Sequence, residues 1–433
     1  MATPRWIPAP RAASLAALAA GLLACLTCNY GEVVVVQPAA AGRGPLTLSI
    51  QVDPEDSAVA RALGWTAGIP NADVVISPGA GDTATGPPIA TLQSDSDGNV
   101  TVPDLRDGKY LVEVRRLLGS AEMAKLAAGE EVVGFMEREM AQRGAATIRV
   151  PASRRRSIVI SEWAFQPQWV PTANAWYHFG GYLELANNSD TTVYLDGLVV
   201  GEAFAIGFEN FSGACEAYES QTNDPDGLWA RYLDSLPGTG RDHPLAPGAV
   251  AVIATDAVNH TAISPDGLDL SHADFEFIGS ADVDNPNVPN AVSIGLEDCC
   301  AAYGGHGLIL NEVLEEVAFI SLPVDTAALP RWADADHRYE RVPRARVLDV
   351  VALLSSFQGS AAPCPRLVHP NFDRYRGRFG PIGANSLGYN PEGLYSVQRK
   401  VAYVRVDGRA ILQHTRTTNT DFFYGLRTPF RLP

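Results

Sequence analysis

The sequence lacks the short motifs by which a catalytic centre is usually identified. It contains no G-x-S-x-G nucleophile elbow, no H-E-x-x-H zinc helix, no P-loop, no G-x-G-x-x-G dinucleotide loop and no paired C-x-x-C clusters. Its eight histidines are scattered, and none is spaced with cysteines or carboxylates as in a metal site. These absences exclude the enzyme classes that such motifs define.

Basic residues are also scarce. The chain has 33 Lys and Arg against 49 Asp and Glu, which gives a formal net charge of -16. A surface this acidic repels phosphate backbones, so we expect no nucleic-acid partner. Charged residues make up only 19% of the chain and hydrophobic residues 46%, a composition typical of globular proteins. The 433 residues exceed what one ordinary core accommodates, which predicts two folded domains and non-globular ends.

The N-terminal segment has the organisation of an export signal. Arg5 and Arg11 provide positive charge, and residues 12–24 form an apolar run that is short for a transmembrane helix. The run ends in Leu-Leu-Ala-Cys25, which resembles the bacterial lipobox, where the cysteine is acylated and becomes the new N-terminus. The alternative is an ordinary signal peptide cleaved elsewhere, and both interpretations export the protein. The expected features are a lipoprotein signal peptide (1–24), lipid attachment at Cys25, a tether (25–44) and anchoring to the outer membrane or cell surface.

Cysteines are few, and their use depends on the oxidising compartment that export implies. Cys28 forms a C-x-x-C spacing with Cys25, but a lipidated Cys25 could not join a redox or zinc site. Structural disulfides contribute about 2–5 kcal/mol each, and adjacent Cys299 and Cys300 cannot easily bridge each other. We expect one of them to pair with Cys215 and the other with Cys364, although four cysteines permit three connectivities.

The sequence pattern of residues 45–152 predicts a small β-domain. Alternating apolar residues and turn signals predict strands at residues 46–52, 72–77, 89–92, 100–103, 109–115 and 145–150. The segment DGNVTVPDLRDGKYLVEV, residues 97–114, resembles transthyretin-like or carboxypeptidase-regulatory-like sandwiches. Asp95, Asp97 and Asn99 have a spacing that occurs in calcium loops, but Gly98 is misplaced for one, so we expect a hairpin turn.

Between the last two of these strands, the spacing of apolar residues predicts a helix. Met123, Leu126, Val133, Met136 and Met140 would share one face of a helix over residues 120–143. Ser120 would cap its N-terminus.

Residues 157–433 carry a different pattern. Ser161-Glu162, then Tyr-Leu-Glu184-Leu, then Asn188-Ser-Asp and Tyr194-Leu-Asp-Gly-Leu resemble the opening of the lamin-tail superfamily, an immunoglobulin-like sandwich. Glu162 and Glu184 are then pattern residues of the fold and not a catalytic carboxylate pair. Further matches in the same order are the turn and strand at 245–254, the strands at 306–310 and 317–320, and a closing block with Arg399, Asp407 and Asp421-Phe422.

The chain as a whole resembles an uncharacterised family of bacterial surface lipoproteins in which a transthyretin-like domain precedes a lamin-tail-like one. The resemblance implies a mainly β protein with two β-sandwich (immunoglobulin-like and transthyretin-like) domains, at 45–152 and 157–433, with loop and short helical insertions. One segment departs from the family. Members of the family have Asp-Thr-Asn-Asn-Ser before the final Asp-Phe. At the same place this chain has His414-Thr-Arg416-Thr-Thr, followed by Asn-Thr.

Two further stretches are candidates for binding. The acidic loop around Asp282 and Asp284 offers hard oxygen ligands suited to Ca²⁺, and the alternative is an Asx or Pro turn beside strands. Aromatic residues are dense over residues 163–179, where they form either core at a strand end or an exposed platform. Beyond this Ca²⁺ candidate, no cofactor is expected.

These observations predict a non-catalytic, surface-anchored binding or accessory module. The resemblance implies a setting in TonB-dependent uptake, with an outer-membrane receptor or another surface protein as partner. The alternative is a surface hydrolase whose His and Asp side chains converge in a cleft without a sequence motif. Its candidate residues are His260, Asp266, Asp282, Asp284 and His306.

Overall fold

The chain is mainly β, with short helices only, as the sequence predicts. The structure, a computed structural model, describes residues 42–80, 83–127, 131–164, 168–170, 172–177, 179–203, 219–264, 267–277, 284–296, 315–333, 338–354, 368–374 and 395–432. Cys25, Cys215, Cys299, Cys300, Cys364 and Asp282 therefore lie outside the described residues, and the lipid-attachment and disulfide assignments stay predictions.

The first part of the chain forms two sheets. Its strands are β1 (Arg43–Val52), β2 (Asp73–Ala80), β3 (Thr83–Ala84), β4 (Ala90–Gln93), β5 (Asn99–Arg106), β6 (Lys109–Leu117), β7 (Val132–Gln142), β8 (Gly144–Val150) and β9 (Ala152–Arg154). One sheet has the order β5-β1-β8, and the other has the order β3-β2-β6-β7-β9 with β4 paired to β2. Leu46, Leu48 and Ile50 on alternate positions of β1 share one buried cluster with Val74 and Val112 of the second sheet. The predicted strands are confirmed.

The predicted helix over residues 120–143 is wrong. Only Ser120–Met123 is helical, as helix α2 (α1 is Ser57–Leu63), with Gly119 and not Ser120 at the N-cap. Residues Val132–Gln142 are strand β7, which pairs with β6. Both faces of the first half of β7 are buried, one in the core of the two sheets and the other, through Val133 and Met136, against a later hairpin. A strand that is buried on both faces does not show period-two alternation, and its spacing therefore imitated a helix.

The turn between β4 and β5 is as predicted. The Asp95 carboxylate accepts hydrogen bonds from the backbone N–H groups of Asp97 and Asn99, at 2.9 and 2.7 Å. Gly98 has φ +82°, a conformation that glycine adopts without strain. The Asp95 side chain is thus used to form a turn.

The second part contains one long curled sheet and several short hairpins. Its strands are β10 (Ile158–Ala164), β11 (Gln168–Val170), β12 (Ala175–Tyr177), β13 (Tyr182–Asn187), β14 (Val193–Tyr194), β15 (Val199–Ala203), β16 (Gly227–Ser235), β17 (Pro244–Leu245), β18 (Val250–Ala254), β19 (Phe275–Phe277), β20 (Asn290–Ser293), β21 (Glu315–Ser321), β22 (Arg331–Ala333), β23 (Arg338–Pro343), β24 (Val347–Leu354), β25 (Tyr395–Arg399), β26 (Val401–Val404), β27 (Ala410–Leu412) and β28 (Phe422–Leu426). Short helices α3 (Glu219–Thr222) and α4 (Thr418–Asp421) accompany them. The long sheet runs β24-β21-β15-β16-β20-β19-β18-β13-β10-β25-β28, with β23 on β16 and β22 on β23.

The curl of this sheet brings β24, at its edge, beside β10. The inner face holds an apolar cluster that includes Ile160, Trp163, Leu185, Phe275 and Val351. Trp163, the first aromatic residue of the 163–179 stretch, is therefore core. Strands β11 and β12 of that stretch form a hairpin.

The last part of the chain packs against the first two sheets. Ala402 and Ile411 of the β26–β27 hairpin share a buried cluster with Val133 and Met136 of β7. The His414 N–H donates to Ser153 Oγ of β9 at 3.0 Å. Gly44–Pro433 form one compact unit, in which 45–152 and 157–433 as separate domains remain a prediction. In the described part of the chain, no helix has the length and apolar character needed to cross a membrane.

Candidate functional site

A cavity of about 570 Å³ lies where five separated segments of the chain meet. These segments are the junction after β9, the residue before β16, the turn between β23 and β24 with the start of β24, residues 371–372 and the segment after β27. The volume is in the range of sites for small molecules. The lining residues are Arg156, Asp226, Pro343, Arg344, Ala345, Val347, Leu348, Asp349, Val350, Asn371, Phe372, His414 and Arg416.

The floor of the cavity is a buried His–Asp pair. His414 Nε2 lies 3.2 Å from Asp349 Oδ1, and the side chains expose only 5% and 2% of their surface. Behind Asp349, the Arg399 guanidinium donates to Asp349 Oδ2 at 2.5 Å. Arg399 also donates to the backbone oxygens of Ile160 and Gln413, at 2.6 and 3.0 Å. The floor is therefore held rigidly from below.

Asp349, on the edge strand β24, joins this edge of the curled sheet to β10. Its Oδ2 accepts the Ile160 N–H of β10 at 2.8 Å, and its Oδ1 accepts the Val350 N–H at 2.9 Å. The pairing of β10 with β13 has an irregularity between Ile160 and Glu162. On the other edge of β10, the Ile160 backbone bonds to the side chains of Asp349 and Arg399. Burial alone would raise the pKa of Asp349, but Arg399 and His414 more than offset it, and the pKa lies below its ordinary value.

One wall is formed by Arg416 in a strained backbone conformation. Its φ is +61°, which residues other than glycine rarely adopt. The conformation is held by the Arg374 N–H, which donates to the Arg416 backbone oxygen at 2.7 Å, and by the Arg416 guanidinium, which donates to Asn371 O and Glu55 Oε2 at 3.2 and 2.9 Å. Burial is the main cause that lowers the pKa of Arg416, and repulsion by the Arg374 charge is the second. Strain that neighbouring groups maintain is characteristic of functional segments.

The lining includes both polar and apolar side chains. Arg156 and Arg344 are exposed arginines from different segments. Asp226, also exposed, lines the cavity as well. Phe372 is buried and Leu348 half-buried, and both add apolar surface. The cavity can therefore contact both a charged group and an apolar portion of a ligand.

Glu162 and Glu184 occupy a second buried polar cluster, and they hold the C-terminal segment. They are directly opposite each other on β10 and β13. Glu162 accepts the Thr428 N–H at 2.9 Å and the Ser396 hydroxyl at 2.5 Å. Glu184 accepts the Ser161 hydroxyl at 2.8 Å and backbone N–H groups of Phe430 and Arg431. Burial, with a contribution from Glu162, raises the pKa of Glu184 to about 8. Both carboxyl groups are buried and bonded within the fold, and their interpretation as pattern residues of a lamin-tail-like domain stays a prediction.

The residues predicted for a motif-free hydrolase are only partly described. His260 is buried, and its ring nitrogens contact the Tyr177 hydroxyl at 2.7 Å and the Asp256 backbone oxygen at 2.9 Å. Burial lowers the pKa of His260. Asp284 is exposed and accepts the Asn290 side-chain amide at 2.9 Å. Both His260 nitrogens are thus occupied by groups other than Asp284, whereas Asp266, Asp282 and His306 lie outside the described residues.

The calcium candidate is described on one side only. Next to Asp284, the Asn285 side chain accepts the Asn287 N–H at 3.1 Å, which is an Asx turn. Within the ranges that the structure describes, no group of three or more His, Cys, Asp or Glu is placed to hold a metal ion.

The residues that form the cavity floor were missed in the sequence, although signals for them were present. Asp349 is the one charged residue in the apolar run Val347–Leu354. His414 and Arg416 belong to the segment that departs from the family pattern. A lone carboxylate in a buried strand requires a partner, and that partner is Arg399 of the closing block.

Comparisons with known proteins give no activity. No curated protein sequence matches the chain. A DUF4876 family protein from Bacteroides thetaiotaomicron VPI-5482 has a solved structure that is 18% identical, with 90% of this chain and 98% of that chain covered and a TM-score of 0.49. A DUF3823 family protein from Bacteroides uniformis ATCC 8492 is 8% identical, with 72% and 99% covered and a TM-score of 0.15. Residues 246–428, which include Asp349, Arg399, His414 and Arg416, match the family described as "Protein of unknown function (DUF4876)".

Proposed function

We propose that the protein is an exported, lipid-anchored, non-catalytic binding protein of a bacterial outer membrane or cell surface, and that its cavity receives a small ligand. The observation that carries the proposal is the cavity itself, which combines a rigid polar floor of His414 and Asp349 with a partly apolar rim. A binding site needs such preorganisation, because ordering side chains on association costs affinity.

The chemistry of the lining favours binding over hydrolysis. Asp349 accepts hydrogen bonds from Arg399, Ile160, Val350 and His414, so its charge is already used within the fold. Among the lining residues that the structure describes there is no hydroxyl, thiol or amine side chain to act as a nucleophile. The second candidate function is a hydrolase, and the buried His414–Asp349 pair is the observation that favours it. Such an enzyme would have to activate water through His414.

The fold assignment within this proposal is a transthyretin-like or carboxypeptidase-regulatory-like sandwich at 45–152, followed by a lamin-tail-like sandwich at 157–433. The two-sheet packing of the first part supports it, as does the Asn187 turn, in which the Asn187 side chain accepts the Ser189 N–H at 2.9 Å. The proposed partner is an outer-membrane receptor or another surface protein, in TonB-dependent uptake. The net charge of this chain, -16, argues against a nucleic-acid partner.

The cavity is tested by filling it. Ala345 is exposed at the rim, so Ala345→Trp should block ligands without disturbing the core. Small polar and amphipathic molecules are screened against the exported chain by thermal shift and calorimetry, with Ala124→Trp, an exposed position outside the cavity, as the control. The proposal expects ligands that bind the parent and the control and lose at least tenfold in affinity with Ala345→Trp. If no ligand is lost, the cavity is not the binding site.

The hydrolase alternative is tested with the same ligands. If the protein hydrolyses any of these ligands, and His414→Gln abolishes the hydrolysis but not the binding, the hydrolase replaces the binding protein as the proposed function.

The anchor is tested at the two N-terminal cysteines. Cys25→Ala should release the protein from membranes, whereas Cys28→Ala should leave it membrane-bound. Mass spectrometry that finds an unmodified N-terminus at another residue would show an ordinary signal peptide.

A further inference from the structure

We propose that the protein has a second binding site, outside the cavity, at which one pyranose unit of a carbohydrate packs against the indole rings of Trp229 and Trp332. This site goes beyond the proposed function and does not depend on it, since neither tryptophan lines the cavity. The rings belong to β16 and β22, where β23 pairs with β16 and β22 pairs with β23 beside the long sheet.

Strand pairing places the two tryptophans on the same face. Trp229 lies opposite Arg341 in the pairing of β16 with β23, and Trp332 lies opposite Tyr339 in the pairing of β22 with β23. Tyr339 and Arg341 are two positions apart and therefore point to the same side of β23. The next residue, Val342, belongs to a buried cluster on the other side. The tryptophans thus share the face that is turned away from this core.

The two indole rings form a corner. Their centroids are 6.3 Å apart, and their planes meet at 75°. Trp332 is stacked on the buried ring of Tyr339, with centroids 4.7 Å apart and an interplanar angle of 23°. Trp229 Nε1 donates to Asp224 Oδ2 at 3.1 Å. Both tryptophans are half-buried, so their rings are held in place by neighbours and still reach solvent.

A polar pair borders the corner at Trp229. Arg341 Nε and Nη2 donate to Oδ2 and Oδ1 of Asp224, at 2.5 and 2.7 Å. Arg341 holds the pKa of Asp224 below its ordinary value, so both groups are ionised at neutral pH and the pair has no net charge. A sugar hydroxyl both donates and accepts hydrogen bonds, and the pair presents an acceptor and a donor side by side. The polar part of the site therefore suits a neutral ligand with several hydroxyl groups.

The rings and the pair together favour a sugar over an apolar protein partner. A pyranose has C–H groups on its faces and hydroxyl groups around its edge, so it can cover an indole ring while its hydroxyls reach the pair. In the part of the chain that the structure describes, none of the most exposed large hydrophobic side chains lies on β16, β22 or β23. A protein interface would be expected to have a wider apolar patch around the rings.

The site is tested with cellohexaose and mannohexaose, and with sorbitol as a polyol that lacks a pyranose ring. Binding to the exported chain is measured by calorimetry and by tryptophan fluorescence, at low and high salt. We expect at least one oligosaccharide to bind the parent and Trp229→Leu to weaken it at least tenfold, because leucine is apolar but offers no flat ring. Trp229→Phe, which keeps a ring, should weaken it less. Binding should be the same at both salt concentrations, since the ligand is neutral.

Two further variants are the controls. Trp65 is half-buried like Trp229 but lies in the first part of the chain, where its ring centroid is 5.1 Å from that of Phe135. Trp65→Leu therefore makes the same change at a distant tryptophan and should leave oligosaccharide binding intact. Ala345→Trp, which fills the cavity, should also leave it intact.

Several results would overturn the inference: no oligosaccharide binding to the parent, equal weakening by Trp229→Leu and Trp65→Leu, or sorbitol competing as well as the oligosaccharides. Loss of oligosaccharide binding in Ala345→Trp would overturn it as well, and would make the sugar the ligand of the cavity. Self-association of the parent that Trp229→Leu abolishes, measured by sedimentation without sugar, would assign the corner to a second copy of the chain instead. A cavity that binds no ligand leaves this site untouched, so the two proposals fail separately.

Discussion

At the scale of single residues, the buried charges carry most of the information. Arg399 exposes 1% of its side chain, donates to Asp349, lies 3.6 Å from Asp421 and packs its guanidinium over the Phe422 ring at 4.3 Å. The Arg and Asp-Phe positions of the closing block therefore have a physical explanation, since they close the curled sheet beneath the cavity floor. A buried pair of this kind is sensitive to the loss of one partner.

We predict that Asp349→Asn destabilises the protein by about 3–5 kcal/mol, because it leaves the Arg399 charge buried without its carboxylate. The double variant Asp349→Leu with Arg399→Met should recover part of the loss, since it removes both charges. Urea denaturation of the parent, Asp349→Leu, Arg399→Met and the double variant measures the coupling. Additive losses would show that the two residues do not act as a pair.

We predict that stability falls as the pH rises from about 5 to about 8, through Glu184. Its folded pKa of about 8 lies above the ordinary 4.5, so the folded state holds a proton that the unfolded state has released. A group raised in this way contributes stability below its unfolded pKa and loses it on the way to the folded pKa, by up to about 1.4 kcal/mol per pH unit. Glu184→Gln should remove this slope, whereas Glu113→Gln, at a half-exposed side chain, should not. The measurement is the free energy of unfolding at several pH values, and an unchanged slope in Glu184→Gln would contradict the assignment.

At the scale of elements, β7 shows why periodicity alone misassigned a segment. Its first six residues are all buried, because one face packs in the first core and the other against the β26–β27 hairpin. The hairpin in turn leads directly to His414 and Arg416. Packing between β7 and this hairpin thus helps to position the cavity.

We predict that Ile411→Ala costs about 2–5 kcal/mol, as expected for a large-to-small change at a fully buried site. Val406→Ala, in the turn of the same hairpin, should change stability by less than about 0.5 kcal/mol because Val406 is fully exposed. Chemical denaturation of both variants is the test. Equal, small effects would mean that the hairpin does not pack against β7.

At the scale of the whole molecule, the first two sheets and the curled sheet are tied together by buried polar contacts. The Arg154 N–H donates to the His414 backbone oxygen at 2.9 Å, and the Thr420 hydroxyl donates to Glu137 at 2.7 Å. Gly44–Pro433 accordingly form one compact unit, and the cavity is lined by Arg156 of the junction and by residues of the second part.

We predict that Gly44–Pro433 unfold in one calorimetric transition, since separation of the two parts would expose these polar groups and the β7 face together. Ser153→Ala combined with Thr420→Ala should shift the whole transition to lower temperature. Two transitions, of which only one responds to the double variant, would show that 45–152 and 157–433 unfold independently.

The sequence by itself determined the class of the fold, most strands of the first part and the turn at Asp95, because strand alternation and turn chemistry are local properties. The cavity was decided only by the tertiary structure. Arg156, Arg344, Asp349 and Arg416 are separated by up to 260 positions, and no local signal states that they meet. What brings them together is the curl of one sheet, closed by a buried carboxylate and its arginine.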